Sequence, residues 1–407
     1  MKLFLLFCVS TLLPLQAQID GFVEARLGGR TTSADGQDAA SIREVRWQME
    51  YKAFLGPVDV EVKTDLLYDD LAGNRSRVDL DRGKGWVDLR SASLAFRPTD
   101  WTDVKAGRQV FTWGTGDLLF INDLFPKDWQ SFFNGRDVEY LKAPSDAVWV
   151  ANYAGDWTLD VIWTPRFDAD RYLDGDGISF GNRMFTPDDP MPADVPTGSE
   201  FNFRLSRYLG SMELAGYVYD GYWKSPGGFS QAGRAQFPRL SVYGASVQSP
   251  GFAGLVNAEL GYYDSRDDRD GRDPRVPNSE LRALIGYSRE LRTDFTLGVQ
   301  GYVEWMQKYG SYRDTLPEER SPRDEVRQVT TLRLTRMLMN QNLMLSGFLF
   351  VSPTDEDGYL RASVEYKWSD TLTTTLGGNW FFGNESDTFF GQLDENSNVY
   401  LAVRRWL

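Results

Sequence analysis

Apolar and polar side chains alternate along most of this chain with a period of two residues. In residues 44–53 every odd position is apolar and every even position is polar or charged. The same division recurs in residues 58–66, 295–305 and 360–368. Because successive side chains of a β-strand point to opposite faces, each of these segments predicts a strand with one apolar and one polar face.

Tight turns separate these runs at regular intervals. Each turn joins two runs of about ten residues, the length of a tilted membrane strand. The intervening connections are longer and rich in Asp, Arg, Gly and Pro. Short turns at one rim and long loops at the other are typical of outer-membrane barrels. The eight predicted turns lie near Gly56-Pro57, Pro98-Asp100, Gly155-Asp156, Leu209-Gly210, Pro250-Gly251, Arg292-Thr293, Asn340-Gln341 and Ser369-Asp370.

Together these patterns predict an all-β fold, a transmembrane antiparallel β-barrel of about 18 strands with both termini in the periplasm. Eight hairpins supply 16 strands, one strand at 20–27 precedes them and one at 396–407 follows them. About 16 strands is the alternative, because alternation is blurred in places such as 86–96. A soluble β-sandwich also alternates, but the long strands and the uniformly short turns on one side favour the barrel.

The first residues have the composition of a secretory signal peptide. Lys2 precedes an apolar stretch from Leu3 to Leu15, and the small residue Ala17 follows. This stretch is shorter than the ~20 apolar residues that a membrane-spanning helix needs. We therefore predict cleavage after Ala17, with 1–17 as the signal peptide and 18–407 as a single outer-membrane barrel domain.

The composition excludes several classes of function. The chain has no histidine, so Ser-His-Asp triads and histidine-ligated metals are impossible, and its one cysteine, Cys8, lies in the predicted signal peptide. Loss of Lys2 with that signal takes the net charge from −14 to −15, and the pI is near 4.7, which argues against nucleic acid as a partner. We predict no enzyme activity, no metal and no cofactor; carboxylate-only chemistry has no supporting spacing.

A long connection rich in aromatic and charged residues runs from about 113 to 145. Loops of this length are usually functional or disordered, and the aromatic content argues against disorder. We predict that the loop folds into the lumen and constricts the pore. The alternative is that it packs over the outer mouth without touching solutes. The candidate constriction residues are Arg108, Trp113, Asp117, Asp123, Asp128 and Arg136.

The polar faces of the predicted strands carry charges of both signs. One interpretation is that these charges pair across strands and keep the lumen wet and rigid. The other is a transverse field, in which loop acids face wall arginines. The acidic stretch 168–177 lacks the spacing of an EF-hand and is predicted to be a solvated loop. The predicted lumen-lining residues are Arg46, Glu50, Lys63, Arg90, Lys105, Arg204, Arg282, Glu304, Arg333, Arg361 and Arg404.

A short motif lies at the start of the long connection. Gly107-Arg108-Gln109, followed by Trp113-Gly114 and Asp117, resembles the G-R-Q…W-G…D signature of porin-like families, including alginate-export-type barrels. The resemblance implies a single-chain channel of similar strand number. Alginate-export barrels have an arginine-rich lumen suited to a polyanion, whereas this chain mixes both signs.

The sequence thus predicts a porin-like outer-membrane channel for passive diffusion of small polar or charged solutes. A closed structural or adhesion barrel with acidic outer loops and a polysaccharide-export channel are the alternatives. Expected partners are outer-membrane lipids and lipopolysaccharide, a small-molecule solute, and the barrel-assembly machinery, which would bind the amphipathic last strand, Val399 to Leu407. The patterns do not distinguish a monomer from a trimer.

Overall fold

A computed structural model describes residues 17–32, 38–71, 77–175, 177–180, 184–185, 190–316 and 322–407. Apart from Ala17, which begins the first strand, the predicted signal peptide lies outside these residues. Within the described residues, no helix is long and apolar enough to cross a membrane.

The chain forms one closed sheet of 18 strands. Every strand pairs antiparallel with the strands before and after it, and the last strand pairs with the first from Phe22–Trp406 to Arg30–Asn398. The predicted antiparallel β-barrel of about 18 strands is confirmed, and a sandwich is excluded because the sheet closes on itself. The strands are β1 (Ala17–Arg30), β2 (Ala40–Leu55), β3 (Val58–Asp69), β4 (Val87–Thr99), β5 (Thr102–Gln109), β6 (Ser145–Ala154), β7 (Trp157–Thr164), β8 (Glu200–Leu209), β9 (Met212–Tyr222), β10 (Arg239–Gly251), β11 (Gly254–Ser265), β12 (Glu280–Arg292), β13 (Phe295–Met306), β14 (Val326–Leu338), β15 (Leu343–Ser352), β16 (Asp357–Ser369), β17 (Leu372–Gly383) and β18 (Asn398–Trp406).

The connections alternate between short and long, as the sequence predicts. Turns of two to four residues join β2 to β3, β4 to β5 and each later pair up to β16 and β17, so all eight predicted turns are confirmed. Ala17 pairs with Ala53, and Arg405 pairs with Leu372, so both ends of the described chain lie at the short-turn rim. The long connections 110–144 and 165–199 lie at the opposite rim.

The alternation of side chains sorts them onto two surfaces. On β2, Val45 and Trp47 are 45% and 43% exposed, whereas Arg46 and Gln48 are 1% and 4% exposed. Since the sheet is closed, its buried polar face is the inward face and its exposed apolar face is the outward face.

The blurred alternation at 86–96 has a local cause. The pairing of β3 with β4 shifts between Lys63 and Thr64, which leaves Arg90 as an extra residue in β4. Asp88, before the bulge, and Arg90, the extra residue itself, are buried, and Ser91 and Ser93 are buried after it. A β-bulge moves the inward face by one residue, so this strand keeps its place in the barrel although its sequence pattern changes phase.

The long connections contain the helices and a buried apolar cluster. The helices are α1 (Trp129–Phe133) and α2 (Tyr309–Thr315), with 3-10 turns at Val138–Leu141 and Gly391–Asn396. Short strands at Ala193–Asp194, Gly228–Phe229 and Ala235–Gln236 form a separate small sheet. Side chains of 110–144, such as Phe132 and Phe133, pack with Tyr359 of β16. Phe390, in the connection between β17 and β18, packs on the same tyrosine.

Candidate functional site

The connection 110–144 touches the inward face on opposite sides of the barrel. Arg136 Nε donates to Glu44 of β2 at 3.1 Å, and Tyr140 donates to Asp65 of β3 at 2.9 Å. Across the barrel, the backbone of 116–122 contacts β11 and β13, while Arg361 of β16 donates to the carbonyl of Phe132 at 3.1 Å. Polar strand residues therefore hold this connection from many directions.

The tip of the connection is fastened by side chains of two strands. The Glu259 carboxylate accepts hydrogen bonds from the backbone N–H of Gly116 at 2.7 Å and of Asn122 at 3.2 Å. The Gln300 amide accepts from the Asp117 N–H and donates to the Asp117 carbonyl, both at 2.7 Å. The side chains of Glu259 and Gln300 thus supply the hydrogen-bond partners that a neighbouring strand would give to a regular backbone.

Asp117 and Leu118 project from this fastened tip. Arg333 of β14 donates to Asp117 Oδ1 at 2.8 Å, and its guanidinium lies 4.9 Å from the centre of the Phe348 ring. Leu118 has a φ of +59°, a conformation that side-chain-bearing residues rarely adopt. The anchors on both sides hold it there.

Leu118 also lies between two cavities. An outer cavity of about 660 Å³ is bounded by the connections at the long-loop rim, and an inner cavity of about 270 Å³ lies against β14 to β18. Leu118 and Phe348 line both cavities. This pair of apolar side chains therefore stands between the two spaces.

The second half of the connection is held by buried ion pairs. Asp128 accepts from the Ser131 N–H at 2.7 Å and so caps α1, and it pairs with Arg171 of the connection 165–199 at 3.1 Å. Arg171 also pairs with Asp88 of β4 at 2.7 Å. Lys127 pairs with Asp123 at 2.9 Å; burial lowers the pKa of Lys127 although Asp123 and Asp170 oppose this shift.

The six predicted constriction residues lie in different surroundings. Asp117 lies next to Leu118 in the chain and pairs with Arg333 of β14. Asp123 and Asp128 are buried in the ion pairs above. Arg108 pairs with Asp146 at 2.8 Å, Trp113 packs on Phe125 with ring centres 5.0 Å apart, and Arg136 holds Glu44.

The predicted lumen-lining residues lie on the inward face, and most have ionic partners there. Arg204 pairs with Asp160 at 3.4 Å, Lys105 with Glu61 at 3.0 Å, and Lys63 with Glu50 at 3.8 Å. Others hold the connection 110–144: Arg90 donates to the Lys142 carbonyl at 2.6 Å, and Arg404 pairs with Asp137. Arg333 and Arg361 also hold this connection, through Asp117 and through the Phe132 carbonyl. The remaining members pair with neighbouring strands: Arg46 with Asp65, and Arg282 with Glu304.

The acidic stretch 168–177 was predicted to be a solvated loop, and that prediction is wrong for much of its length. Asp170, Arg171 and Tyr172 are buried, since they pack between the connection 110–144 and the barrel wall. Arg171 and Tyr172 were the sequence signal for this burial, because a solvated acidic loop needs neither an arginine nor an aromatic residue. Among the described residues, no cluster of three or more acidic side chains could hold a metal ion.

Asp168 gives this region a dependence on pH. Burial raises the pKa of its carboxyl to about 7, and Glu200 adds to the shift while Lys224 opposes it. Because the folded state holds this proton more tightly than the unfolded chain, stability falls as pH rises from about 4 to 7.

We therefore expect the connection 165–175 to be cleaved more slowly in Asp168→Asn than in the unsubstituted protein at pH 8. At pH 4 the two proteins should be cleaved at similar rates. Limited proteolysis at the two pH values measures this. Asp156→Asn, in the exposed turn between β6 and β7, is the control and should match the unsubstituted protein at both. Equal protection by Asp168→Asn at pH 4 and pH 8 would contradict the assignment.

The fold and its inner connections define the class of structure: a closed 18-stranded barrel of the kind found in solved outer-membrane porins. The chain is similar to OccAB3 of Acinetobacter baumannii, with a TM-score of 0.56, 11% identity, and 96% of this chain and 99% of that chain covered. It is similar to OccK11 (OpdR) of Pseudomonas aeruginosa, with a TM-score of 0.55, 11% identity and 96% of each chain covered. A BenF-like porin from Pseudomonas fluorescens gives a TM-score of 0.54, 13% identity, and coverage of 96% and 98%.

At these identities the likeness concerns the fold. No family profile matches the chain, and no curated protein matches it. The resemblance of the Gly107-Arg108-Gln109 motif to alginate-export-type barrels stays a prediction.

Proposed function

We propose that the protein is an outer-membrane channel through which small polar or charged solutes diffuse passively. The observation that carries this proposal is the pair of cavities inside the closed barrel, whose linings share Leu118 and Phe348. Charged side chains line both cavities, as a path for hydrated solutes requires. An 18-stranded barrel is wide enough to leave an aqueous lumen unless it is plugged.

The outward face supports a place in a membrane. Its middle carries apolar side chains such as Ile285, Leu260 and Leu376, which are half or more exposed. Aromatic side chains flank this band at both rims, as in the aromatic girdles of membrane barrels. The exposed aromatic residues are Trp101, Trp157, Phe252 and Trp368 at the short-turn rim, and Trp163, Phe201, Tyr262, Trp305 and Phe382 towards the other.

The two ends of the chain would direct the protein to that membrane. A cleaved signal peptide at 1–17 would take the chain across the inner membrane, and the short-turn rim would then face the periplasm. The last strand presents Val399, Leu401 and Val403 outward, the surface that the barrel-assembly machinery would bind. Lipids and lipopolysaccharide surround the barrel in this arrangement.

The connection 110–144 supplies the constriction in this proposal. Leu118 and Asp117 narrow the passage from one side, and Phe348 and Arg333 narrow it from the other. Four of the other predicted constriction residues, Trp113, Asp123, Asp128 and Arg136, act as a scaffold, because their charged or aromatic groups make contacts that hold the connection in place. Arg108 instead pairs with Asp146 of the neighbouring strand β6.

A second candidate is the closed structural or adhesion barrel. The apolar cluster that joins 110–144 to the outer halves of the strands favours it, since the same side chains fill part of the lumen. A polysaccharide-export channel has less support, because the inward charges are of both signs and largely paired.

Recording in planar lipid bilayers tests the proposed function. We expect the purified, detergent-folded protein to give discrete conductance steps, and liposomes that contain it to swell in solutions of small sugars. Heat-unfolded protein is the control. Folded protein that gives neither steps nor swelling would overturn the channel and favour the closed barrel.

A further inference from the structure

One wall of the outer cavity is apolar and partly accessible. Phe389 is 41% exposed, and Phe120, Leu124 and Trp129, which line the same cavity, are partly buried. Apolar surface left in contact with water costs about 25 cal/mol per Å², so an accessible apolar wall in a wet lumen marks a place that a ligand can cover.

The lining also has a charged part, in which the cations Lys127, Lys224 and Arg282 have acidic partners within the protein. Lys224 pairs with Glu200 at 2.6 Å, and Arg282 pairs with Glu280 at 2.6 Å. Lys127 pairs with Asp123 and lies 4.6 Å from the centre of the Phe120 ring. Because these cations have acidic partners within the protein, an incoming solute need not carry a charge to satisfy them.

The cavity also has the size of a small-molecule site. Its volume of about 660 Å³ falls within the ~300–1,000 Å³ of typical ligand pockets, which combine an apolar lining with a few polar groups. Ser225 and Asp387 add hydrogen-bonding groups to its lining.

We propose that the outer cavity is a binding site for uncharged aromatic solutes that carry hydroxyl groups. The aromatic ring lies against Phe120, Trp129 and Phe389, and the hydroxyl groups bind polar side chains of the same lining. Ring-on-ring contact supplies the selectivity, because stacked or edge-on aromatic pairs are favoured beyond simple burial. Binding of this kind needs the cavity alone, so it holds whether or not the barrel conducts.

Saturation-transfer NMR on the folded protein in detergent tests this proposal with phenyl β-D-glucoside as the probe. We expect stronger saturation of the phenyl protons than of the sugar protons, and little transfer to methyl β-D-glucoside, which lacks the ring. No transfer to the phenyl group, or equal transfer to both glucosides, would overturn the proposal.

Two phenylalanines of equal exposure provide a matched pair of variants. Phe389 lines the cavity and is 41% exposed, whereas Phe382 lies on the outward face and is 42% exposed. We expect Phe389→Ser to raise the Kd for phenyl β-D-glucoside about three- to tenfold, the loss of one aromatic contact, and Phe382→Ser to leave it unchanged.

Equal weakening by the two variants would show that the probe binds through detergent or the outer surface, and would overturn the site. Phe120→Ser, on the same cavity wall, should repeat the effect of Phe389→Ser and covers the case in which that variant fails to fold. Binding without conductance would reject the proposed channel and keep this site; conductance without binding would do the reverse.

Discussion

Replacing Leu118 with glycine is expected to raise the single-channel conductance about twofold, because the narrowest part of a pore dominates its resistance. Leu118 and Phe348 line both cavities, so the loss of the leucine side chain widens the point where they join. Glycine also accepts the φ of +59° at this position, which relieves about 1 kcal/mol of backbone strain. The tip should therefore keep its place while its side chain is lost.

Recordings of three variants in planar bilayers make this result specific. Leu118→Trp fills the junction and should lower the conductance. Leu334→Gly is the control, since Leu334 is the neighbour of Arg333 that faces outward and is 38% exposed. An unchanged conductance in both Leu118 variants would show that solutes pass elsewhere or that another part of the lumen limits flow.

Replacing Arg171 with methionine is expected to release the connection 110–144 from the barrel wall. Arg171 is 2% exposed and holds the carboxylates of Asp88 and Asp128. Removal of one partner leaves buried charges without compensation, which costs about 3–5 kcal/mol. Asp128 also caps α1, so the helix and its aromatic contacts lose their fixed position.

Hydrogen exchange followed by mass spectrometry measures this release. Exchange in 127–141 should become about a hundredfold faster or more, since each 1.4 kcal/mol is a factor of about ten. Arg234→Met is the control, because Arg234 pairs with Asp194 in an exposed position where an ion pair contributes about 0–1 kcal/mol. Exchange in 127–141 that is unchanged by Arg171→Met would show that apolar packing alone holds the connection.

The barrel itself was predictable from the sequence. Alternation with a period of two identifies a strand and its two faces, and the spacing of Gly56-Pro57 and the other turns gives the number of strands. The bulge at Arg90 shows the limit of this reasoning, because one unpaired residue reverses the phase without ending the strand.

The site was predictable only in part. The aromatic content and length of 110–144 indicated an ordered, functional connection, and Asp117 was among the residues chosen. Leu118 and Phe348 gave no signal, because a leucine in a loop and a phenylalanine in a strand are ordinary in sequence. The stretch around Arg171 was misjudged because its aspartates suggested solvent, while their partners lie far away in the chain.

The sequence by itself determined that the chain forms strands, how many there are, and which side chains face each way, since these depend on neighbours one or two residues apart. The tertiary structure alone decided where the connections go inside the barrel. Glu259, Gln300 and Arg333 reach the tip at 115–122 from positions more than a hundred residues away. Only closure of the sheet brings such groups together, and local patterns carry no information about that encounter.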